Sequence, residues 1–152
     1  MFSLFKKKPL LDKESEQQVV ASIKEAEAKT SGEIRVFIEP HCKFVDPMDR
    51  AREIFTSLAM EKTEERNAII IYVALLDKQF ALFGDKAIYE KAGGPKFWEQ
   101  AAERLVGHLK KNEITEGLCQ CIRELGGPLA AHFPPNPNIN KNELPDEIVF
   151  GK

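Results

Sequence analysis

Groups that could do chemistry cluster in three places along the sequence: Ser31 and Glu33, then Glu64, Glu65, Arg66 and Asn67, then Asp85 and Lys86. Carboxylates that converge with loop carbonyls from separate segments suit a hard cation such as Ca²⁺ or Mg²⁺. The sequence holds no linear EF-hand loop, so such a site has to be assembled by the fold. Asp85, Glu33 and Glu65 are the expected metal ligands, with Ser31, Arg66 and Asn67 in support. A competing reading needs no metal: Glu33 or Asp85 pairs with Arg66 and pins this part of the chain. A third uses the same carboxylates, Asp85 foremost, for metal-assisted attack on a phosphate ester, with Arg66, Lys86 or the helix start at 93–95 meeting the phosphate.

Other groups have plainer explanations beside the chemical one. Glu39, Asp46, Asp49 and Asp77 form a second acidic set, yet Asp46 reads as a helix N-cap, Asp49 as a first-turn acid and Asp77 as a turn residue. Gly93 and Gly94, ahead of Pro95 and near Lys86, Lys91 and Lys96, are an anion candidate at a helix start, without a Walker A or dinucleotide fingerprint. His41 beside Cys42 suggests a metal or a nucleophile, but no further ligand is fixed nearby by spacing. His108 and His132 stand alone. Cys119 and Cys121 lie about 200° apart around a helix and face different ways, with Cys121 on the apolar stripe. No G-x-S-x-G or H-E-x-x-H motif is present.

The elements that must position these groups follow from periodicity. Residues 12–30 read as a helix capped by Asp12 and ended by Gly32 as a C′ glycine. Residues 33–39 alternate as a strand, and Asp46-Pro47 opens a second helix running to about Met60. The apolar run 68–75 reads as a strand covered on both faces, parallel to 33–39. After a turn at Asp77-Lys78, 79–84 returns antiparallel. This topology puts the starts of the first two strands and the end of the third at one edge, which gathers the first set of groups. Residues 86–92 read as a loop with a helical turn. Helices follow from Pro95 and from an Asn112 cap, the latter broken or kinked at Gly126-Gly127-Pro128. Residues 134–138 are an extended linker, and 147–150 a short edge strand or docked tail. The fold class is a three-layer α/β/α sandwich around a small mixed sheet with four main helices. It divides into an N-terminal segment 1–11, one domain 12–133, and a linker and acidic tail 134–152.

The chain has 152 residues and a formal net charge of −2, so no global basic field recruits nucleic acid. Three cysteines and no secretory signal point to a reducing, cytoplasmic setting with free thiols. No run reaches the roughly 18 apolar residues of a transmembrane segment. Met1–Lys8, with Phe2, Phe5 and three lysines, reads as a frayed terminus; contact with a membrane surface or a partner is the alternative.

The order Thr30-Ser31-Gly32-Glu33-Ile34-Arg35-Val36, Lys62-Thr63-Glu64-Glu65-Arg66-Asn67, Phe83-Gly84-Asp85-Lys86, Phe97-Trp98 and His132-Phe133-Pro134 resembles the TPM-domain family over roughly residues 12–150. That family is named after a thylakoid lumen protein, a photosystem II repair protein and a receptor modulator; this chain is similar to its short soluble bacterial branch. The resemblance implies an α/β/α sandwich with an acidic cleft for divalent metal, calcium in particular, and for some members weak acid phosphatase activity. Where the family often has glycine, this chain has Ala68 and Ala87. The expected function is a calcium-binding interaction module that serves a protein partner. A phosphatase, or a metal-free partner-binding domain, are its rivals.

Overall fold

The computed structural model describes residues 9–138 and 148–152. Its centre is β2 (Ala68–Ala74), in which all seven residues are buried. An unbroken apolar strand of this kind needs cover on both faces. On one side it pairs in parallel with β1 (Glu33–Glu39), from Glu33 opposite Ala68 to Glu39 opposite Ala74. On the other it pairs antiparallel with β3 (Gln79–Gly84) through a tight turn in which Lys78 takes a left-handed φ of 54°. A two-residue strand near the C-terminus, Val149–Phe150, adds in parallel to β1, giving a four-stranded sheet with the β2–β3 hairpin at one side and the late strand at the other.

Side chains alternate across the sheet. Ile34, Val36 and Ile38 join Ile69, Ile71 and Val73 in one cluster, packed by Val19 and Ile23 of α1 (Lys13–Glu27), by Trp98, Ala101, Leu105 and Leu109 of α4 (Pro95–Lys110), and by Leu118, Ile122, Leu125 and Leu129 of α5 (Ile114–His132). The short α3 (Lys86–Lys91) adds Ile88. On the other face Phe37, Ala68, Ile70, Tyr72 and Ala74 pack against Ala51, Ile54 and Phe55 of α2 (Pro47–Ser57). The result is a three-layer sandwich. Each fully buried isoleucine in β2 contributes about 1.5–3 kcal/mol from apolar transfer.

Asp12 and Asp46 cap α1 and α2 as the sequence suggests: Asp12 accepts from the Ser15 amide at 2.7 Å and Asp46 from the Met48 amide at 2.9 Å. Four local expectations are corrected. The helix expected to break or kink at Gly126-Gly127-Pro128 is continuous from Ile114 to His132. Leu125 and Leu129, buried on either side of Pro128, hold it to the core across the one amide that proline lacks. Gly126 is there for close approach, since a Cβ would sit 3.3 Å from Ala26 of α1. Gly32 does not end α1 with a positive φ; it leaves room for Leu129, whose Cδ2 would lie 2.5 Å from a Cβ. Asn112 does not cap α5: with φ 59° it closes α4, and Glu113 takes the N-cap position without a side-chain bond. Residues 86–91, expected as a loop with a turn, form α3, a fifth α-helix among the described residues. The N-terminal lysine segment Met1–Lys8 and the acidic tail residues Glu143, Asp146 and Glu147 lie outside the described residues.

Candidate functional site

At the edge where β1 and β2 begin, the chain leaving β3 keeps its register for one more residue: the Asp85 amide donates to the Ala68 carbonyl at 2.9 Å. Glu33, Ala68 and Asp85 are therefore neighbours across three strands. They share the parity of Phe37 and Ile70, on the α2 side of the sheet. Alanine in the middle leaves space between the two carboxylates. Both acids are 4% exposed.

Asp85 is bound on every side that the turn offers. Its Oδ2 accepts from Arg66 Nε at 2.6 Å, and its Oδ1 accepts from Arg66 Nη2 at 2.8 Å and from the Lys86 amide at 2.8 Å. The last bond makes it the N-cap of α3. Arg66 reaches it from a left-handed backbone position, φ 53°, and its own carbonyl accepts from Ala87 N at 3.2 Å. The hydrogen bonds to Asp85 raise the Arg66 pKa further against partial desolvation. The pinning ion pair anticipated between Asp85 and Arg66 is thus present, in bidentate form.

Glu65, the third expected ligand, belongs to a separate knot. The Ser31 hydroxyl donates to Glu65 Oε2 at 2.6 Å; Asn67 Nδ2 lies 3.3 Å from Ser31 Oγ and 3.2 Å from Glu65 Oε2. Asn67 is 1% exposed, so its amide is fixed where water cannot compete. Glu64 and Lys86 point to solvent. Among the described residues no three His, Cys, Asp or Glu side chains form a group that could hold a metal ion. The edge brings Glu33 and Asp85 into register and ties Glu65 to Ser31 and Asn67, as two adjoining clusters.

Three supports here have no signal in sequence periodicity. The Glu27 carboxylate, buried at the end of α1, accepts from the Ile34 amide at 2.9 Å and stitches helix to strand. The Thr30 hydroxyl bonds to the carbonyls of Leu129 and Phe133, tying the same loop to the end of α5. The Ser31 amide donates to Phe133 O at 2.9 Å.

At the opposite edge Glu39, left unexplained by sequence, is the hub of a buried network. Arg50 reaches it with two bonds of 2.9 Å, and the Tyr72 hydroxyl donates to it at 2.5 Å. Burial pushes Glu39 up, but the bonds from Arg50 and Tyr72 and the charges of Arg50 and Lys43 outweigh it and hold the carboxyl below its usual range. Burial, then the bond to Glu39, raises the Tyr72 phenol far above its ordinary value. The signal was available: a tyrosine within an aliphatic strand needs a partner for its hydroxyl. Asp77 accepts from the Cys42 amide at 2.7 Å and pairs with His41 Nδ1 at 2.8 Å. Asp49 makes a loose 3.7 Å pair with Arg52. His108 is held between Glu113 and Gln120.

Gly93 and Gly94 take φ of 114° and 67° to join α3 to α4, which accounts for both glycines as backbone. A groove of about 300 Å³ along the outer edge of β3, lined by Asp46, Met48, Phe80, Leu82, Trp98 and Glu99 among others, contains neither Glu33 nor Asp85.

A model of the TPM domain matches residues 5–127. The chain belongs to the TPM-domain family. An NMR structure of the BA42 protein from the psychrophilic bacterium Bizionia argentinensis is 35% identical, with a TM-score of 0.85 over 97% of this chain and 99% of that one. The N-terminal domain of the cg2496 protein from Corynebacterium glutamicum shares the fold alone, at 13% identity and a TM-score of 0.63 over 83% of this chain and 78% of that one. No curated protein sequence matches the chain. In this TPM domain the alanines at 68 and 87 disturb nothing in the backbone: neither has a positive φ, Ala68 lying inside β2 and Ala87 inside α3. No helix among the described residues is long and apolar enough to cross a membrane.

Proposed function

We propose that this TPM domain is a cytoplasmic, divalent-cation-responsive interaction module, with calcium as the cation and Asp85 and Glu33 as its principal ligands. The observation that carries the reading is the register of Glu33 and Asp85 on either side of Ala68, both nearly buried on one face. Strand spacing sets their Cα atoms about 10 Å apart, a span that two carboxylate side chains close around one ion. Hard oxygen donors of this kind fit calcium in chemistry. They do not yet form a closed cage, since Glu65 is turned toward Ser31 and Asn67.

Arg66 decides how such a site responds. A cation on Asp85 competes for the two oxygens that Arg66 now holds. The Arg66 side chain is 40% exposed, so its guanidinium can be rehydrated at modest cost when displaced. Its backbone joins β2 to α3 through the Ala87 bond, so a change at Arg66 alters the loop surface that a protein partner reads. Isothermal titration with Ca²⁺ tests this: saturable heat is expected in wild type and none in Asp85→Asn.

The family model carries the word phosphatase in its name, which favours a second reading: weak metal-assisted hydrolysis of a phosphate ester at the same carboxylates. Turnover of p-nitrophenyl phosphate that needs a divalent cation and is lost in Asp85→Asn supports that reading. A cation response without turnover leaves the module. Neither response leaves a metal-free partner-binding domain pinned by Arg66 and Asp85.

A further inference from the structure

Among the described residues the sheet is closed unequally at its two sides. Beside β1 the late strand Val149–Phe150 adds in parallel. Beside β3 no further strand pairs. The register shows which backbone groups of β3 are left over. The Asp85 amide bonds to the Ala68 carbonyl, and bonded and non-bonded pairs alternate along an antiparallel ladder. Phe83, Ala81 and Gln79 therefore turn their backbone groups toward Ile70, Tyr72 and Ala74. On the other side of β2, Leu75 N bonds to Glu39 O, in the phase this requires. Phe80 and Leu82 then direct their N–H and C=O groups outward, about 6.8 Å apart. No described residue outside the sheet bonds to these groups. Leu82 is 5% exposed, so its open amide and carbonyl sit at the bottom of a groove, where a backbone group calls for a partner.

That groove is the one of about 300 Å³ along β3. Trp98 and Ala102 of α4 form one wall, with Tyr89 of α3 stacked on the Trp98 ring at 5.8 Å between centroids. Met48, at the start of α2, lies on the other face of the sheet. Aromatic walls of this kind anchor protein contacts. The strand itself, Gln79–Gly84, has no charged residue and no proline, the usual devices that keep an edge from pairing. The groove lining holds two acids, Asp46 and Glu99, and no lysine, arginine or histidine among the described residues. Asp46 spends one oxygen, Oδ1, on the α2 cap, and Glu99 has no hydrogen bond or ion pair to another described residue.

We propose that this groove takes an extended basic peptide of a partner protein, added to β3 as a further strand. Main-chain bonds to Phe80 and Leu82 hold the peptide, apolar side chains fill the space beside Trp98 and Ala102, and lysine or arginine side chains meet Glu99 and Asp46. A row of open backbone groups fits an extended segment rather than a helix, and the two carboxylates select its charge. A second copy of this chain is the weaker fit, because its own β3 would bring the same acids toward each other.

The test selects a displayed library of random twelve-residue peptides on the folded protein in calcium-free buffer, so that the result does not depend on the cation site. Peptides rich in lysine or arginine and in apolar residues are expected to be enriched and to bind with micromolar affinity. On binding, amide exchange should slow about tenfold or more at Phe80 and Leu82, and little at Ala81 and Phe83, which are already bonded to β2. Asp46→Asn/Glu99→Lys keeps the helix cap and should weaken these peptides about tenfold or more with an unchanged far-UV spectrum. Ala102→Trp, which places an indole in the groove, should weaken them as well. Three results overturn the proposal: no enrichment, enriched peptides that leave Phe80 and Leu82 exchange unchanged, or equal binding to wild type and the Asp46/Glu99 variant. A wild-type dimer in which Phe80 and Leu82 exchange slowly without peptide assigns the edge to a second copy, and also overturns it.

Discussion

Replacing Asp85 separates its two bonded roles. In Asp85→Asn the side-chain carbonyl still caps α3, because asparagine is as good an N-cap as aspartate. What is lost is the charge that binds Arg66 through contacts of 2.6 and 2.8 Å. Asp85→Ala loses both roles. The cap is worth about 1 kcal/mol. The charge-assisted pair would be worth about 1.5–3 kcal/mol if wholly buried. Arg66 is 40% exposed, so that figure is discounted to about 1–2 kcal/mol. The expected losses are about 1–2 kcal/mol for Asn and about 2–3 kcal/mol for Ala, or about 5–10 °C in Tm for Ala in a chain of this size. Urea denaturation of the three proteins checks this through the midpoint at constant m-value. Equal losses for Asn and Ala would refute the cap, and no loss for Asn would refute the energetic role of the Arg66 pair.

Gly84→Ala should be among the more damaging single-methyl additions, because the new Cβ would fall 2.6 and 2.8 Å from Trp98 ring atoms and 3.2 Å from Ile88 Cγ2. About 1–3 kcal/mol of destabilisation is expected, with a change in Trp98 fluorescence. Arg50 and Tyr72 hold the folded pKa of Glu39 below the ordinary value of a glutamate carboxyl, so Glu39 contributes stability above that ordinary value and loses it as pH falls through the folded one. Urea midpoints measured from pH 6 to pH 3 should show this loss in wild type and a shallower one in Glu39→Gln, which starts out less stable. Burial pushes the Cys121 thiol up to about 12 and leaves it 3% exposed. Iodoacetamide at pH 8 should therefore label Cys42 first, with Cys121 protected until the protein unfolds; mass spectrometry of the labelled peptides decides it.

Where one physical signal dominated, the sequence was legible. The buried run of β2, the alternation of β1 and the short connection to β3 fix both strand directions, and the directions alone bring residues 31–33, 64–67 and 85 to one edge. Asp12 and Asp46 were readable because capping is local. Where competing forces meet, local reading failed. Pro128 is a strong helix breaker taken alone, but Leu125 and Leu129 are already committed to the core on either side of it. Gly32 looked like a helix stop, yet its lack of a side chain serves Leu129, which is far away in sequence. The division of the edge into an Asp85–Arg66 pair and a Ser31–Glu65–Asn67 knot depends on which oxygen each side chain reaches, and spacing does not encode that. Glu27 was hidden because it is a polar residue on a helix face that ends against a strand amide.

The most direct test of the cation-responsive reading is a Ca²⁺ titration followed by amide and arginine Nε–H NMR, in wild type and Asp85→Asn. The account predicts saturable shifts at residues 31–33, 64–67 and 84–87, with the Arg66 Nε–H resonance moving toward that of a solvated guanidinium, and none of these in the variant. No saturable shift at millimolar calcium, or shifts confined to Glu39, Asp46, Asp49 and Asp77, would contradict it.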